Sequence, residues 1–158
     1  MCAWQGAEIS GVDISRNIAG NIAGGIYAAS GLTLTDATLT GNVSGLTGGG
    51  IDANGDLVLT RVVLDGNEGG IDGGAIALNG ANLDLVDCTV TGNFATFFAA
   101  VGGGVLLTDA TMTATGTEWG TGATDNSPAD IGLGFTNTSF SYAGVVDITC
   151  SDDAGTCM

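Results

Sequence analysis

Gly48-Gly-Gly-Ile-Asp-Ala-Asn-Gly-Asp-Leu-Val-Leu-Thr-Arg-Val-Val-Leu-Asp-Gly-Asn67 decides how this chain is read. A glycine run leads into a short apolar segment, Ile51 to Ala53. A turn follows, then Leu57 and Leu59 in alternation. A bend at Arg61 separates these from Val62 and Leu64, and Gly66-Asn67 closes the phrase. The same phrase stands before and after it. Ile26, Ile51, Ile76 and Val105 follow pairs of small residues, at intervals of 25, 25 and 29. Asn17, Asn42, Asn67 and Asn93 lie 25, 25 and 26 apart. Three residues before each asparagine stand Ile14, Leu39, Leu64 and Val90. Five before stand Val12, Ala37, Val62 and Cys88. Eight before stand Ile9, Leu34, Leu59 and Leu85, and ten before, in the last three units, Leu32, Leu57 and Leu83.

Within a segment the apolar residues alternate with period two, the signature of a strand with one buried face. The step from eight-before to five-before breaks that alternation, and a straight strand would turn the five-before residue outward. A bend keeps both inside. Each unit therefore predicts three short strands, two bends and a glycine-rich return. Such a unit cannot bury its apolar face alone. Stacking units at about 4.8 Å gives every strand a parallel partner above and below. The expected fold class is all-β, a parallel β-helix solenoid with about five coils of about 25 residues. A β-sandwich has antiparallel strands and no fixed period. A leucine-rich repeat needs a helical or turn-rich convex side, and nothing in the sequence reads as a helix.

The chain of 158 residues is expected to form one domain. Residues 1–17 read as an incomplete first coil, and 18–42, 43–67 and 68–93 as full coils. Phe94 to Val101 lengthens the next return and carries Phe97 and Phe98. Residues 102–122 read as a degenerate coil, with Trp119 in the Leu39/Leu64 column and Gly122 in the asparagine column. Residues 123–158, which hold the sole proline and Phe135, Phe140, Tyr142, Val145 and Ile148, read as a C-terminal cap. An uncapped end would expose strand edges.

Formal net charge is −15, from 17 acidic residues against Arg16 and Arg61, with no lysine or histidine. That balance repels nucleic acid and anionic lipid and attracts cations. No run approaches the roughly 18 apolar residues of a membrane span. Met1-Cys2-Ala3-Trp4 lacks a leader pattern, and the first coil begins at Ile9 without a cap. The sequence therefore reads as a segment of a longer chain whose signal and anchor lie elsewhere. Cys88 falls in an interior column and is expected as a buried thiol. Cys150 and Cys157 bracket Ser-Asp-Asp-Ala-Gly-Thr, which suits a local disulfide and an oxidising compartment.

Gly-Gly-Ala-Ile (73–76) with Val-Thr-Gly-Asn (90–93), and Gly-Gly-Gly-Ile (48–51) with Leu-Asp-Gly-Asn (64–67), resemble the repeats of polymorphic outer-membrane proteins. The resemblance spans about residues 9 to 131. It implies a right-handed β-helix of the pectate-lyase-like superfamily, displayed as an extracellular surface passenger. The sequence departs from that family at its aromatic position, which here holds Ile14, Leu39, Leu64 and Val90.

Asn17, Asn42, Asn67 and Asn93 predict a hydrogen-bonded ladder, because identical amides stack in cross-β columns and asparagine tolerates a left-handed turn. Six residues before them lie Gly11, Asp36, Arg61 and Asp87. Asp36, Arg61 and Asp87 predict a charge ladder bridged by Arg61. The same two carboxylates, two coil rises or about 9.6 Å apart, suit the wider spacing of an inverting glycosidase. An arginine between them, however, lowers both pKa values, the wrong direction for a general acid. Asp52, Asn54 and Asp56 resemble the start of a calcium loop and suggest weak Ca²⁺ binding. The twelfth position, Val63, lacks the glutamate an EF-hand needs. Triads and imidazole chemistry are excluded by the absence of histidine. Threonines 33, 35, 38, 40, 60, 89, 91, 113 and 115 are expected to face outward. An ice-binding face needs them in unbroken columns, and the column Ser10, Thr35, Thr60, Val86 is broken. The expected function is non-catalytic: an extracellular segment of a surface or secreted protein, for adhesion or structural display. Its partner would be a host surface, carbohydrate or protein, with no resident cofactor. The alternatives are a fragment of a carbohydrate-active lyase or glycosidase and, last, an ice-binding solenoid.

Overall fold

The computed structural model describes residues 2, 3, 6–97, 100–134, 139–143 and 150–152; for residues 2, 3, 139–143 and 150–152 it describes the backbone alone. The chain is a parallel β-helix. Its first coil holds β1 (Cys2–Ala3), β2 (Ala7–Ser10), β3 (Asp13–Ser15) and β4 (Ile18–Ala19). The second holds β5 (Ile26–Ala28), β6 (Leu32–Thr35), β7 (Thr38–Thr40) and β8 (Val43–Ser44). The third holds β9 (Ile51–Ala53), β10 (Leu57–Thr60), β11 (Val63–Asp65) and β12 (Glu68–Gly69). The fourth holds β13 (Ile76–Asn79), β14 (Asn82–Val86), β15 (Thr89–Thr91) and β16 (Phe94–Ala95). Then come β17 (Val105–Thr108), β18 (Thr111–Thr115), β19 (Ile131–Leu133), β20 (Ser139–Ala143) and β21 (Cys150–Asp152).

Equivalent strands stack into four parallel sheets. Sheet A runs β1-β5-β9-β13-β17-β19-β21 and sheet B runs β2-β6-β10-β14-β18-β20. Sheet C runs β15-β11-β7-β3 and sheet D runs β16-β12-β8-β4. The repeat sets the register: Ile51 pairs with Ile26 and Ile76, Leu59 with Leu34 and Leu85, and Leu64 with Leu39 and Val90. All of these, with Val62 and Cys88, are buried in one continuous core. The glycine pairs let coils close up. A Cβ on Gly49 would lie 2.3 Å from the Gly74 carbonyl oxygen.

The structure departs from the sequence reading in five places. Each of the first four coils has a fourth strand, in sheet D. Its inward residues are small, Ala19, Ser44, Gly69 and Ala95, so no large apolar column announced it. The first coil starts before Ile9, with β1 paired to β5. Trp119 is buried opposite Val90, as its column requires, but the asparagine column continues at Asn126 rather than Gly122. A 3₁₀ turn at Gly122–Thr124 takes up the extra residues. Parallel pairing continues past residue 122 through β19, β20 and β21, where a cap was expected. Finally, the left-handed conformation falls on the residue before each asparagine, not on it: Arg16, Gly41, Gly66 and Gly92 have φ of 54° to 61°.

Candidate functional site

The asparagines are structural. Asn42, Asn67 and Asn93 are fully buried. Each amide nitrogen donates to the next side-chain oxygen, Asn17 to Asn42 at 2.9 Å and Asn42 to Asn67 and Asn67 to Asn93 at 3.0 Å. The backbone N–H of each residue donates to the same oxygen. The second amide hydrogen of Asn42, Asn67 and Asn93 goes back to Ile14, Leu39 and Leu64 carbonyls. Asn93 passes the column to Asn126, whose own amide donates to the Val90 and Trp119 carbonyls and to buried Asp130. The side chains and N–H groups of the buried asparagines are satisfied along the column, and their carbonyls accept from the Glu68, Phe94 and Ser127 N–H groups of the next coil, as a dry interior requires.

The Asp36–Arg61–Asp87 expectation needs correcting. Arg61 forms a bidentate pair with Asp36, at 2.6 and 2.9 Å. That bond lowers the Asp36 pKa and raises that of Arg61, and Asp87 adds only a distant charge. Among the described residues no hydrogen bond joins Arg61 to Asp87. The column's real constraint lies in the backbone. Gly11, Asp36, Arg61, Asp87 and Gly116 have φ of 51° to 64°, the left-handed bend that turns sheet B into sheet C. The Arg61 pair thus shifts the exposed Asp36 carboxylate in the direction opposite to what a general acid needs.

Asp52, Asn54 and Asp56 are not brought together around one centre. The Thr47 hydroxyl donates to Asp52 at 2.6 Å, the Asn54 amide donates to the Tyr27 hydroxyl at 3.1 Å, and Asp56 accepts from Asn82 at 2.9 Å. Among the described residues no group of three acidic, cysteine or histidine residues is placed to hold a metal. Cys88 is buried, its thiol donates to the Leu59 and Val86 carbonyls, and burial raises its pKa. The expected Cys150–Cys157 disulfide rests on Cys157 and on the Cys150 side chain, which lie outside the described residues, as do Phe98, Phe135, Val145 and Ile148. Among the described residues no helix is long and apolar enough to cross a membrane.

Two surface features were not foreseen. One is a groove of about 370 Å³ on the outer face of sheet A. Its floor crosses the coils through Asp52, Ala77 and Leu106, which pair in register. Ile22 and Thr47 stand on one side, Asn54, Asn79 and Thr108 on the other. Asp52 points away from the core yet is only 9% exposed. Burial raises its pKa and the Thr47 hydrogen bond partly opposes that. Strand alternation marks Asp52 as outward, so only the returns folded beside it reveal the burial. The second feature is an apolar flank on sheet D and its adjoining return: Ile18, Leu46, Ile71 and Phe94 are exposed, Ile18 at 83%. Ile18 pairs with Val43, and Phe94 lies two strands on, across Glu68.

Compared with family models, with curated proteins and with solved structures, the chain matches none. The likeness to polymorphic outer-membrane repeats therefore rests on the repeats themselves.

Proposed function

We propose that this chain is a non-catalytic β-helical segment of a surface or secreted protein, working by contact between its flank and a protein partner. The observation that carries this reading is the apolar flank of Ile18, Leu46, Ile71 and Phe94 on a body of net charge −15. Several large apolar side chains exposed on one flank mark a contact surface, and a solenoid presents them on a stiff, regular scaffold. The extracellular setting is part of the proposal, supported by the repeat resemblance and by the cysteine pair. The carbohydrate-active alternative, read in the sequence from Asp36 and Asp87, is weakened by the Arg61 pair that lowers the Asp36 pKa, and Asp52 is a further acid candidate. Asp72, which pairs with Thr47 on the neighbouring coil, accepts from the backbone N–H groups of Val101 and Gly102. The ice-binding alternative gains nothing, since Val58, Asp84 and Val86 interrupt the outward threonines of sheet B.

The test is binding to immobilised matrix proteins and polysaccharides, with reducing ends and unsaturated products followed in parallel. Saturable binding to a protein layer, lost in a Leu46→Ser/Ile71→Ser variant that melts like the parent, supports the proposal. Polysaccharide turnover that disappears in Asp52→Asn would overturn it in favour of the enzyme, and binding to polysaccharide alone would overturn the protein partner.

A further inference from the structure

We propose that the groove on sheet A is a receptor for an aliphatic ammonium group, in particular a lysine side chain of a protein partner. The groove is made by Ala77. Its neighbours in the outward column are Asp52 on one coil and Leu106 on the other, so a methyl group stands where a longer side chain would close the hollow. The result is a bipolar floor, acid at one end and apolar at the other, two coil rises or about 9.6 Å apart. A four-carbon stem ending in a charge has that form, with Ile22 and Leu106 to cover the methylenes.

The hydrogen-bonding inventory selects ammonium over guanidinium. One Asp52 oxygen already accepts from Thr47. A guanidinium binds best to both carboxylate oxygens at once, whereas an ammonium is a point charge that one oxygen satisfies. Asn54 gives its amide nitrogen to Tyr27 and so keeps its carbonyl oxygen as an acceptor. Asn79 and Thr108 add acceptors on the same side, which suits a group that only donates. The net charge of −15 draws cationic partners toward the whole surface. An ammonium beside Asp52 would also offset the desolvation that this carboxylate bears in the free protein. The groove borders the apolar flank at Leu46-Thr47, but its test reads Asp52, Ala77 and Leu106, so either proposal can fail while the other stands.

The experiment is titration of the intact chain with Nα-acetyl-lysine N-methylamide, followed by NMR shifts of Ala77 and Leu106. The matching arginine and norleucine amides are the controls. Saturable lysine binding is expected, with the arginine compound weaker by about tenfold and the norleucine compound silent. Asp52→Asn should abolish the shifts, and Ala77→Leu should block them by filling the floor. Absence of saturable lysine binding, equal binding by Asp52→Asn, or equal binding of the arginine compound would each overturn the proposal. Should Ala77→Leu fail to fold, Asp52→Asn decides.

Discussion

Asn67→Ala removes the middle rung of the column. The side chain takes part in four hydrogen bonds. It donates to the Leu39 carbonyl and to Asn93, and it accepts from the backbone N–H and the amide of Asn42. All four are buried, and no water can replace them without opening the stack. At about 1 kcal/mol net for each bond the loss is about 4 kcal/mol. The orphaned Asn42 N–H and Leu39 carbonyl push it higher, because each keeps its desolvation cost. Against a total stability of about 5–15 kcal/mol that is a large fraction. Asn17 supplies the internal comparison. It donates to Asn42 and to the Ser15 carbonyl, but it stands at the exposed end and water can take its place. Urea unfolding followed by circular dichroism should show a large drop in midpoint for Asn67→Ala, with an unchanged slope. The drop for Asn17→Ala should be small. Equal, small losses at the two positions would refute the claim that the buried column holds the coils together.

Gly49→Ala should cripple folding, because the new Cβ would lie 2.3 Å from the Gly74 carbonyl oxygen and 2.4 Å from that of Glu68; loss of the cooperative melt would show it. Arg61→Gly should raise the melting midpoint slightly, since it frees a left-handed residue from its Cβ and sacrifices only a surface pair. Asp52→Asn should stabilise at neutral pH and match the parent in acid. Its folded pKa is raised, so the parent loses stability as pH rises through that value and the amide does not; melts across the carboxylate range would test this. Leu59→Asp should abolish folding, because it places an unpaired carboxylate in a fully buried column, and a retained β-type spectrum with a cooperative melt would contradict that.

The fold was legible because its inward columns are large and periodic. Leu34, Leu59 and Leu85, or Leu39, Leu64 and Val90, can be aligned by counting alone. Sheet D was illegible for the converse reason: Ala19, Ser44, Gly69 and Ala95 carry no apolar signal. Asn126 was missed because it follows Asn93 after 33 residues, beyond a fixed period. Asp36, Arg61 and Asp87 drew attention as charges, yet Gly11 and Gly116 in the same column show that backbone conformation is what they share. The groove lay beyond sequence reasoning. It depends on Ala77 being smaller than its neighbours and on where Ile22 and Thr47 come to rest, which are facts of stacking rather than of period.

The asparagine column has a direction, like a row of people each holding the shoulder of the next. At one end Asn17 holds on and has a side-chain oxygen to offer; at the other, Asn126 has its hands full with Asp130, Val90 and Trp119. The column therefore runs one way through the interior: each buried rung gives to the next and receives from the one before, so breaking any rung strands donors and acceptors on both of its neighbours.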